Sequence, residues 1–159
     1  MTTDNKLNDT WDFWFHDPLD NNWKLDSYKK IHSINTIQSF WNLYNFLDNK
    51  MIENSMLFLM RQNIEPLWEH TDNINGGCWS LKIQKGDIYN LWNSISISLL
   101  SENISNDENI NINGISISPK KNFCIIKIWT NKTTNNIKTL KPIKNLSYEG
   151  IIFKPHSIH

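Results

Sequence analysis

Residues 112–129 read INGISISPKKNFCIIKIW. Apolar and polar side chains alternate before Pro119 and again after Asn122, which is typical of two β-strands that are each buried on one face. The four residues from Pro119 to Asn122 predict a hairpin turn between these strands. One face of the second strand is expected to carry four alternating side chains, Phe123, Ile125, Lys127 and Trp129.

Outward from this hairpin, the same kind of pattern predicts the remaining elements. Strands are expected at residues 11–15, 28–34, 56–60, 79–83 and 148–154. Helices are expected at residues 37–47, 87–100 and, with Pro142 as a limit, 136–144. Neighbouring hairpin strands interspersed with helices predict the α+β class, in which helices cover one face of an antiparallel sheet.

The first of these helices has the clearest pattern. Asn35 or Thr36 is expected to cap its N-terminus. Its apolar residues follow the i, i+3, i+4, i+7 spacing of a single buried face. They are Ile37, Phe40, Trp41, Tyr44 and Leu47.

The composition excludes several classes of protein. The chain has 159 residues, and its 16 basic and 16 acidic residues give no net charge, whereas proteins that bind long nucleic acids nonspecifically are strongly basic. The polar N-terminus lacks the apolar run of a signal peptide, and no stretch approaches the roughly 20 apolar residues of a membrane span. A cytoplasmic protein is therefore expected. Cys78 and Cys124 are expected to be reduced thiols, because their spacing fits neither a zinc site nor a disulfide-rich module.

The sequence also indicates how the chain is organised and from what kind of genome it comes. Residues 1–10 predict a disordered N-terminal tail, and residues 11–159 predict a single domain. Alanine and valine are absent, asparagine and isoleucine are abundant, and Arg61 is the only arginine. This bias indicates an AT-rich genome, such as that of a protist or a large DNA virus.

No catalytic constellation is recognisable in the sequence. The chain lacks the GxGxxG, P-loop, HExxH and GxSxG motifs, and its five histidines are separated from the cysteines and from paired carboxylates. The sequence therefore predicts a binding protein and not an enzyme, with no metal site and no cofactor.

The eight tryptophans divide into those expected to pack and those expected to bind. Trp14, Trp41, Trp79 and Trp92 lie in apolar strand or helix patterns, so the core is their expected place. Trp23 has polar neighbours on both sides, and Trp68 follows Pro66 where a strand cannot continue. These two loop tryptophans are the candidates for ligand binding.

Two loop tryptophans and the adjacent Glu69 match the chemistry of a methylated guanine. Methylation of the outer ring nitrogen leaves the base positively charged, so stacking between two indoles adds cation–π attraction to base stacking, which is worth about 1–3 kcal/mol per base. The guanine edge offers two N–H donors side by side, and one carboxylate accepts both. Lysines near the hairpin are expected to bind the phosphate chain.

These residues resemble the eukaryotic translation initiation factor 4E family, which binds the 7-methylguanosine cap of messenger RNA. The resemblance covers residues 11–129, and all eight tryptophans fall on tryptophan positions of the family. It rests on segments that agree in order and spacing: WDFWF from Trp11, NNWK around Trp23, SFWNLYN from Ser39, IEPLWE from Ile64, GGCW from Gly76 and IKIWT from Ile126. It implies a curved antiparallel β-sheet with about three helices on its convex face and the cap on its concave face.

The resemblance also implies roles for the base-binding residues. By position, Trp23 and Trp68 stack on the base, Glu69 binds the guanine edge, and Trp129 contacts the added methyl group. The backbone N–H of Trp68 or Glu69 is implied to meet the base oxygen.

The phosphate-binding positions depart from the family pattern. Lys120 falls on an arginine position in the hairpin, and two further basic positions are Ile125 and Cys78 here. Lys127, on the same strand face as Ile125, or Lys121 is expected to replace the missing charge. The chain ends soon after His156, so the loop over the second nucleotide is expected to be short.

The convex surface of the family recruits a scaffold protein or its inhibitory competitors, and Ile37 and Trp41 match part of that surface. Asn93 and Ser94 stand where an apolar and an acidic residue are typical, and Asn5-Lys6 stands in place of a His-Pro pair. The hypothesis is a partner that differs from the usual scaffold or binds less tightly.

The expected function is that of a monomeric cap-binding initiation factor that brings capped messenger RNA to a scaffold. The alternative is a cap-binding repressor or cap-sequestering protein that does not recruit the scaffold. A third reading is an aromatic cage for a methylated amine or peptide. Glu69 and the hairpin lysines argue against the cage, because a peptide ligand needs no phosphate contacts.

Overall fold

A computed structural model describes residues 5–157, in which seven strands form one antiparallel sheet of order β2-β1-β3-β5-β6-β4-β7. The strands are β1 Lys6–His16, β2 Tyr28–Thr36, β3 Met56–Arg61, β4 Gly77–Gln84, β5 Ile112–Pro119, β6 Phe123–Thr130 and β7 Ile152–Pro155. The helices are α1 Ile37–Tyr44, α2 Asn49–Asn54 and α3 Ile88–Leu100. The predicted hairpin is the pair β5 and β6, whose register joins Ile117 to Ile126 and Pro119 to Cys124.

Alternation along each strand divides the side chains between two faces of the sheet. On one face, Trp11, Leu59, Ile117 and Ile126 pack with buried residues of the helices, such as Trp92, to form the main core. On the other face lies a smaller apolar cluster to which no helix residue within residues 5–157 belongs. The sheet therefore has a helix-covered face and an open face, and the predicted α+β class is confirmed.

The helix α1 begins at a reciprocal cap. The Thr36 hydroxyl accepts from the backbone N–H of Ser39 at 3.0 Å, and the Ser39 hydroxyl accepts from the backbone N–H of Thr36 at 3.1 Å. The expected single buried face is only partly correct. Phe40 and Tyr44 are buried, but Ile37 and Trp41 remain 41% and 43% exposed. Ile37 and Trp41 are therefore accessible on the surface of α1.

The first strand corrects the predicted N-terminal tail. Lys6–Thr10 belong to β1, and only residues 1–4 of the predicted tail lie outside the described residues. Lys6 pairs with Thr36 of β2, and the Thr10 carbonyl accepts from the backbone N–H of Gln62 at 2.9 Å. Backbone pairing with neighbouring segments thus forms a strand from residues whose side chains carry no strand signal.

The C-terminal part also differs from the prediction. Instead of a helix at 136–144, only Ile137–Thr139 form a single 3-10 turn, because the backbone there bonds to another loop. The Thr139 carbonyl accepts from Asn106, and the backbone N–H of Lys141 donates to Ile104 at 2.8 Å. The last strand, β7, is shorter than the strand expected at residues 148–154. The helix α2 is an additional element that the sequence pattern does not predict.

Two sequence-based expectations concern the chain as a whole. Cys78 and Cys124 are free and buried, as expected for reduced thiols. Within residues 5–157, no helix has the length and apolar character needed to cross a membrane.

Candidate functional site

The open face of the sheet carries an apolar floor made of Trp14, Phe58, Met60, Cys78 and Trp129. Trp129 is only 7% exposed, and its indole N–H donates to the Ser116 hydroxyl at 3.0 Å. The ring of Phe58 meets it edge-on, with the centroids 6.5 Å apart. These contacts hold the Trp129 ring in one orientation.

A cavity of about 450 Å³, here called the base cavity, lies above this floor. Its walls include the indoles of Trp23 and Trp68 and the side chain of Glu69, while Trp129 lies at its base. Trp23 and Trp68 are 51% and 46% exposed, although an indole is large and apolar. The structure thus brings together the three residues that the sequence singled out from polar loops.

The loop between β1 and β2 presents Trp23. It has no regular structure before the turn Leu25–Ser27, and successive side chains bond to the backbone two residues ahead. The Asp20 carboxylate accepts from the backbone N–H of Asn22 at 2.8 Å, and the Asn22 side-chain oxygen accepts from Lys24 at 2.9 Å. The sequence DNNWK therefore forms an ordered turn with Trp23 at its end.

The loop between β3 and β4 presents Trp68 and Glu69, and a buried amide pair anchors it. The side-chain nitrogen of Asn73 donates to the carbonyls of Glu65 and Leu67 at 3.2 and 2.9 Å. Its side-chain oxygen accepts from Asn113 of β5 at 2.9 Å, and Asn73 is fully buried. The bond between Asn73 and Asn113 therefore connects the loop that carries Trp68 to β5, the central strand of the sheet.

A second cavity of about 690 Å³, here called the lysine cavity, adjoins the base cavity. Four lysines line it, Lys82, Lys120, Lys127 and Lys154, and no acidic side chain of residues 5–157 does so. Lys120 and Lys127 line both cavities, whereas Lys121 lines neither. Of the lysines expected to bind phosphate, the structure therefore brings two to the site and leaves Lys121 outside it.

Burial and charge change the acidities of three groups around the site. Burial, with a smaller effect of the Glu69 charge, raises the pKa of Tyr28 to about 12. Burial also raises the pKa of Cys78 to about 12, so its thiol stays protonated. Burial and the Lys127 charge lower the pKa of His156 to about 4, so this imidazole is neutral at pH 7.

The other predicted site residues lie apart from both cavities. Ile37 and Trp41 are exposed on α1, on the helix-covered side of the sheet. These two residues therefore form a surface that is separate from the base cavity and the lysine cavity. No group of three or more histidine, cysteine or acidic residues within residues 5–157 is arranged to hold a metal ion.

Sequence reasoning missed the residues that hold the two loops. His16 is fully buried at the end of β1, with its ring against Trp23. The pair Asn73 and Asn113 supports the other loop. The sequence could have indicated His16, because it lies two residues after Trp14 and therefore on the same face of the strand. No local pattern could have indicated the pair Asn73 and Asn113, since the two residues are 40 positions apart.

Comparison with known proteins agrees with this architecture. The family model for eukaryotic initiation factor 4E matches residues 6–157. Translation initiation factor isoform 4E of Capsicum annuum is 29% identical over 82% of this chain and 66% of its own length. Initiation factor 4E of Dictyostelium discoideum is 31% identical over 80% of this chain and 57% of its own length. The chain thus spans less than two thirds of the length of these relatives.

Solved structures show the same fold. Ascaris suum eIF4E-3 in complex with an m7G cap has a TM-score of 0.73 and 20% identity, covering 84% of this chain and 77% of that one. C. elegans eIF4E-3 with the 4E-binding protein Mextli and a cap analog has a TM-score of 0.72 and 22% identity, covering 82% and 76%. With the matched residues spanning nearly all of the sequence, the chain belongs to the eukaryotic initiation factor 4E family.

Proposed function

We propose that this protein binds the 7-methylguanosine cap of messenger RNA in the base cavity. The observation that carries the proposal is that two half-exposed indoles, Trp23 and Trp68, and the carboxylate of Glu69 wall one cavity of about 450 Å³. A flat, cationic ligand with two adjacent N–H donors satisfies all three groups.

The proposed chemistry favours the methylated base over guanine. The positive charge of 7-methylguanine adds cation–π attraction to stacking between the indoles, and neutral guanine lacks this contribution. Glu69 accepts two charge-assisted hydrogen bonds from the guanine edge. Trp129, at the base of the cavity, is the contact for the added methyl group.

The proposed phosphate contacts are Lys120 and Lys127, because both line the base cavity and the adjoining lysine cavity. Each supplies a point charge, in place of the bidentate fork of an arginine. Lys121 was an alternative to Lys127 in the sequence, and its place outside both cavities favours Lys127.

The second part of the proposal is recruitment of a scaffold or inhibitory protein through α1. Ile37 and Trp41 are exposed apolar side chains one turn apart, the arrangement that an amphipathic helix of a partner contacts. The complex of C. elegans eIF4E-3 contains a 4E-binding protein, which supports a partner of this class. The proposed role is translation initiation by a monomer in the cytoplasm, through binding without turnover. A repressor would bind the cap equally but fail to bind the scaffold.

The test is to titrate the protein with 7-methyl-GTP and with GTP and to measure both affinities by isothermal titration calorimetry. We expect the wild type to prefer the methylated nucleotide, and Trp68→Ala or Glu69→Gln to weaken that binding by about 10- to 100-fold. Two matched controls lie outside the cavity, Trp41→Ala for the exposed indole and Glu65→Gln for the loop carboxylate. Equal affinity of the wild type for both nucleotides would overturn the proposal.

A further inference from the structure

The back of the Trp23 ring is covered by a second ring. The imidazole of His16, the last residue of β1, stacks on the indole with the centroids 4.4 Å apart and the planes 9° apart. His16 is fully buried, whereas Trp23 is half-exposed. One face of the indole is therefore occupied by the protein, and His16 itself does not line the base cavity.

The same imidazole also bonds to the backbone of the loop. His16 Nε2 lies 2.7 Å from the carbonyl oxygen of Asn22, the residue before Trp23. A carbonyl oxygen only accepts, so Nε2 carries the proton and donates. The hydroxyl of Ser27 donates to the same carbonyl at 2.7 Å and fixes it from a second direction. A single side chain thus contacts both the ring of Trp23 and the peptide that leads into it.

A second aromatic neighbour of the imidazole is Tyr28 at the start of β2. Its ring centroid lies 4.6 Å from that of His16, at an angle of 51°, and Tyr28 itself lines the base cavity. His16 is therefore held between the first residue of β2 and the loop indole. This enclosure keeps the imidazole in one place while the far side of Trp23 stays open to a ligand.

We propose that His16 is a positioning residue for ligand binding, which acts through Trp23 by holding the indole ready for a stacked base. The inference rests on the proposed function, because a stacked ligand is what an oriented indole serves. An exposed indole on a loop between two strands loses rotational freedom on binding, and prior stacking removes part of that cost. Imidazole supplies both a flat face and an N–H donor, which neither phenylalanine nor glutamine does alone.

Binding measurements in two backgrounds test the proposal. We expect His16→Ala to weaken 7-methyl-GTP binding by about tenfold, the effect of losing one aromatic stacking contact. In a Trp23→Ala background the same change should alter affinity by less than about twofold, since the residue through which His16 acts is gone. His16→Phe, which keeps the stack, should recover most of the affinity. His32→Ala, at an exposed histidine of β2, is the matched control.

A second readout needs no ligand. In protein labelled with 5-fluorotryptophan, the fluorine resonance of Trp23 is assigned by its loss in Trp23→Phe. We expect His16→Ala to shift and narrow this resonance, because the indole becomes mobile, while the other seven tryptophan resonances stay in place. His16→Phe and His16→Gln separate the stack from the hydrogen bond if the alanine variant fails to fold.

The outcomes distinguish the two proposals. If the wild type does not bind 7-methyl-GTP, the proposed function fails and the positioning role fails with it. If the wild type binds and His16→Ala binds equally well, or if the Trp23 resonance is unmoved, only the positioning role is overturned. An equal loss of affinity in the wild-type and Trp23→Ala backgrounds would indicate a purely structural role and would also overturn it.

Discussion

At the scale of single residues, exposure separates tryptophans that pack from tryptophans available to a ligand. Trp14, Trp79 and Trp92 are buried, as their strand and helix patterns predicted. Trp41 is 43% exposed, so the expectation that it packs is only partly right. Phe40 and Tyr44 lie one turn apart on the buried side of α1, whereas Ile37 and Trp41 lie one turn apart on its exposed side.

His156 is a residue whose titration should be visible in stability. Its pKa falls from 6.5 to about 4 in the folded protein, first because it is buried and second because Lys127 is positively charged. Well above pH 6.5 the imidazole is neutral in both states, and its contribution to stability does not change with pH. Between about pH 6.5 and 4 the unfolded chain takes up a proton that the folded protein does not, so the free energy of unfolding should fall as the pH falls.

The measurement is urea unfolding at several pH values between 7 and 4, compared for the wild type and His156→Gln. Other groups titrate in this range, so the prediction concerns the difference between the two proteins. The variant should lose less stability on acidification than the wild type. Parallel curves would show that His156 is not protected from protonation in the folded state. His32→Gln, at an exposed position, is the control and should follow the wild type.

At the scale of elements, two irregular loops carry the indoles of the base cavity. The β1–β2 loop carries Trp23 and the β3–β4 loop carries Trp68, and buried polar side chains hold each loop in place. The Trp68 loop depends on Asn73, whose amide satisfies two loop carbonyls and joins Asn113 of β5. A buried carbonyl that loses its donor costs free energy because water cannot replace the bond. The loop is therefore ordered by hydrogen bonds among its own residues and by one bond that joins it to β5 in the core.

Asn73→Ala should lower the free energy of unfolding by about 2–4 kcal/mol, since three hydrogen bonds of a fully buried amide are lost. The same variant should weaken binding of 7-methyl-GTP, because Trp68 and Glu69 lose their anchored loop. Urea unfolding and calorimetry measure the two effects. Asn135→Ala, at an exposed position, is the control. Unchanged stability in Asn73→Ala would show that the loop does not need the amide.

At the scale of the whole molecule, a neutral chain carries an uneven distribution of charge. Lys82, Lys120, Lys127 and Lys154 line the lysine cavity on the open face. Acidic side chains line a different cavity, which includes Glu102, Asp107 and Glu108. Electrostatic attraction of an anion is therefore local to the lysine cavity, although the net charge is zero.

Binding of 7-methyl-GTP should weaken as salt increases, because lysines that contact phosphate displace counterions from it. Lys127→Gln should reduce the slope of log affinity against log salt concentration by up to about 0.7, the upper bound set by one phosphate contact in a single-stranded nucleic acid. Lys121→Gln is the matched control from the same hairpin region, and its slope should equal that of the wild type. Equal slopes for all three proteins would exclude Lys127 as a phosphate contact.

Much of the architecture was predictable from the sequence: the antiparallel sheet, its hairpin, two of the helices, and Trp23, Trp68 and Glu69 as residues that share one cavity. These features depend on local patterns. The alternation of apolar and polar residues on both sides of Pro119 predicts a pair of strands, and the capping residue Thr36 predicts the start of α1. A large apolar side chain between polar neighbours, such as Trp23, has no local reason to be buried. It could therefore be recognised as a candidate for binding before any fold was known.

How those side chains are held depends on contacts between segments that are distant in the sequence. The stacking of His16 on Trp23, the bond of Asn73 to Asn113 and the place of Lys121 outside the cavities depend on which segments meet in space. Lys6–Thr10 become part of β1 for the same reason, since a backbone partner is available beside them. Contacts between distant segments leave no periodic trace in the sequence, because their free energy arises only once the chain has folded.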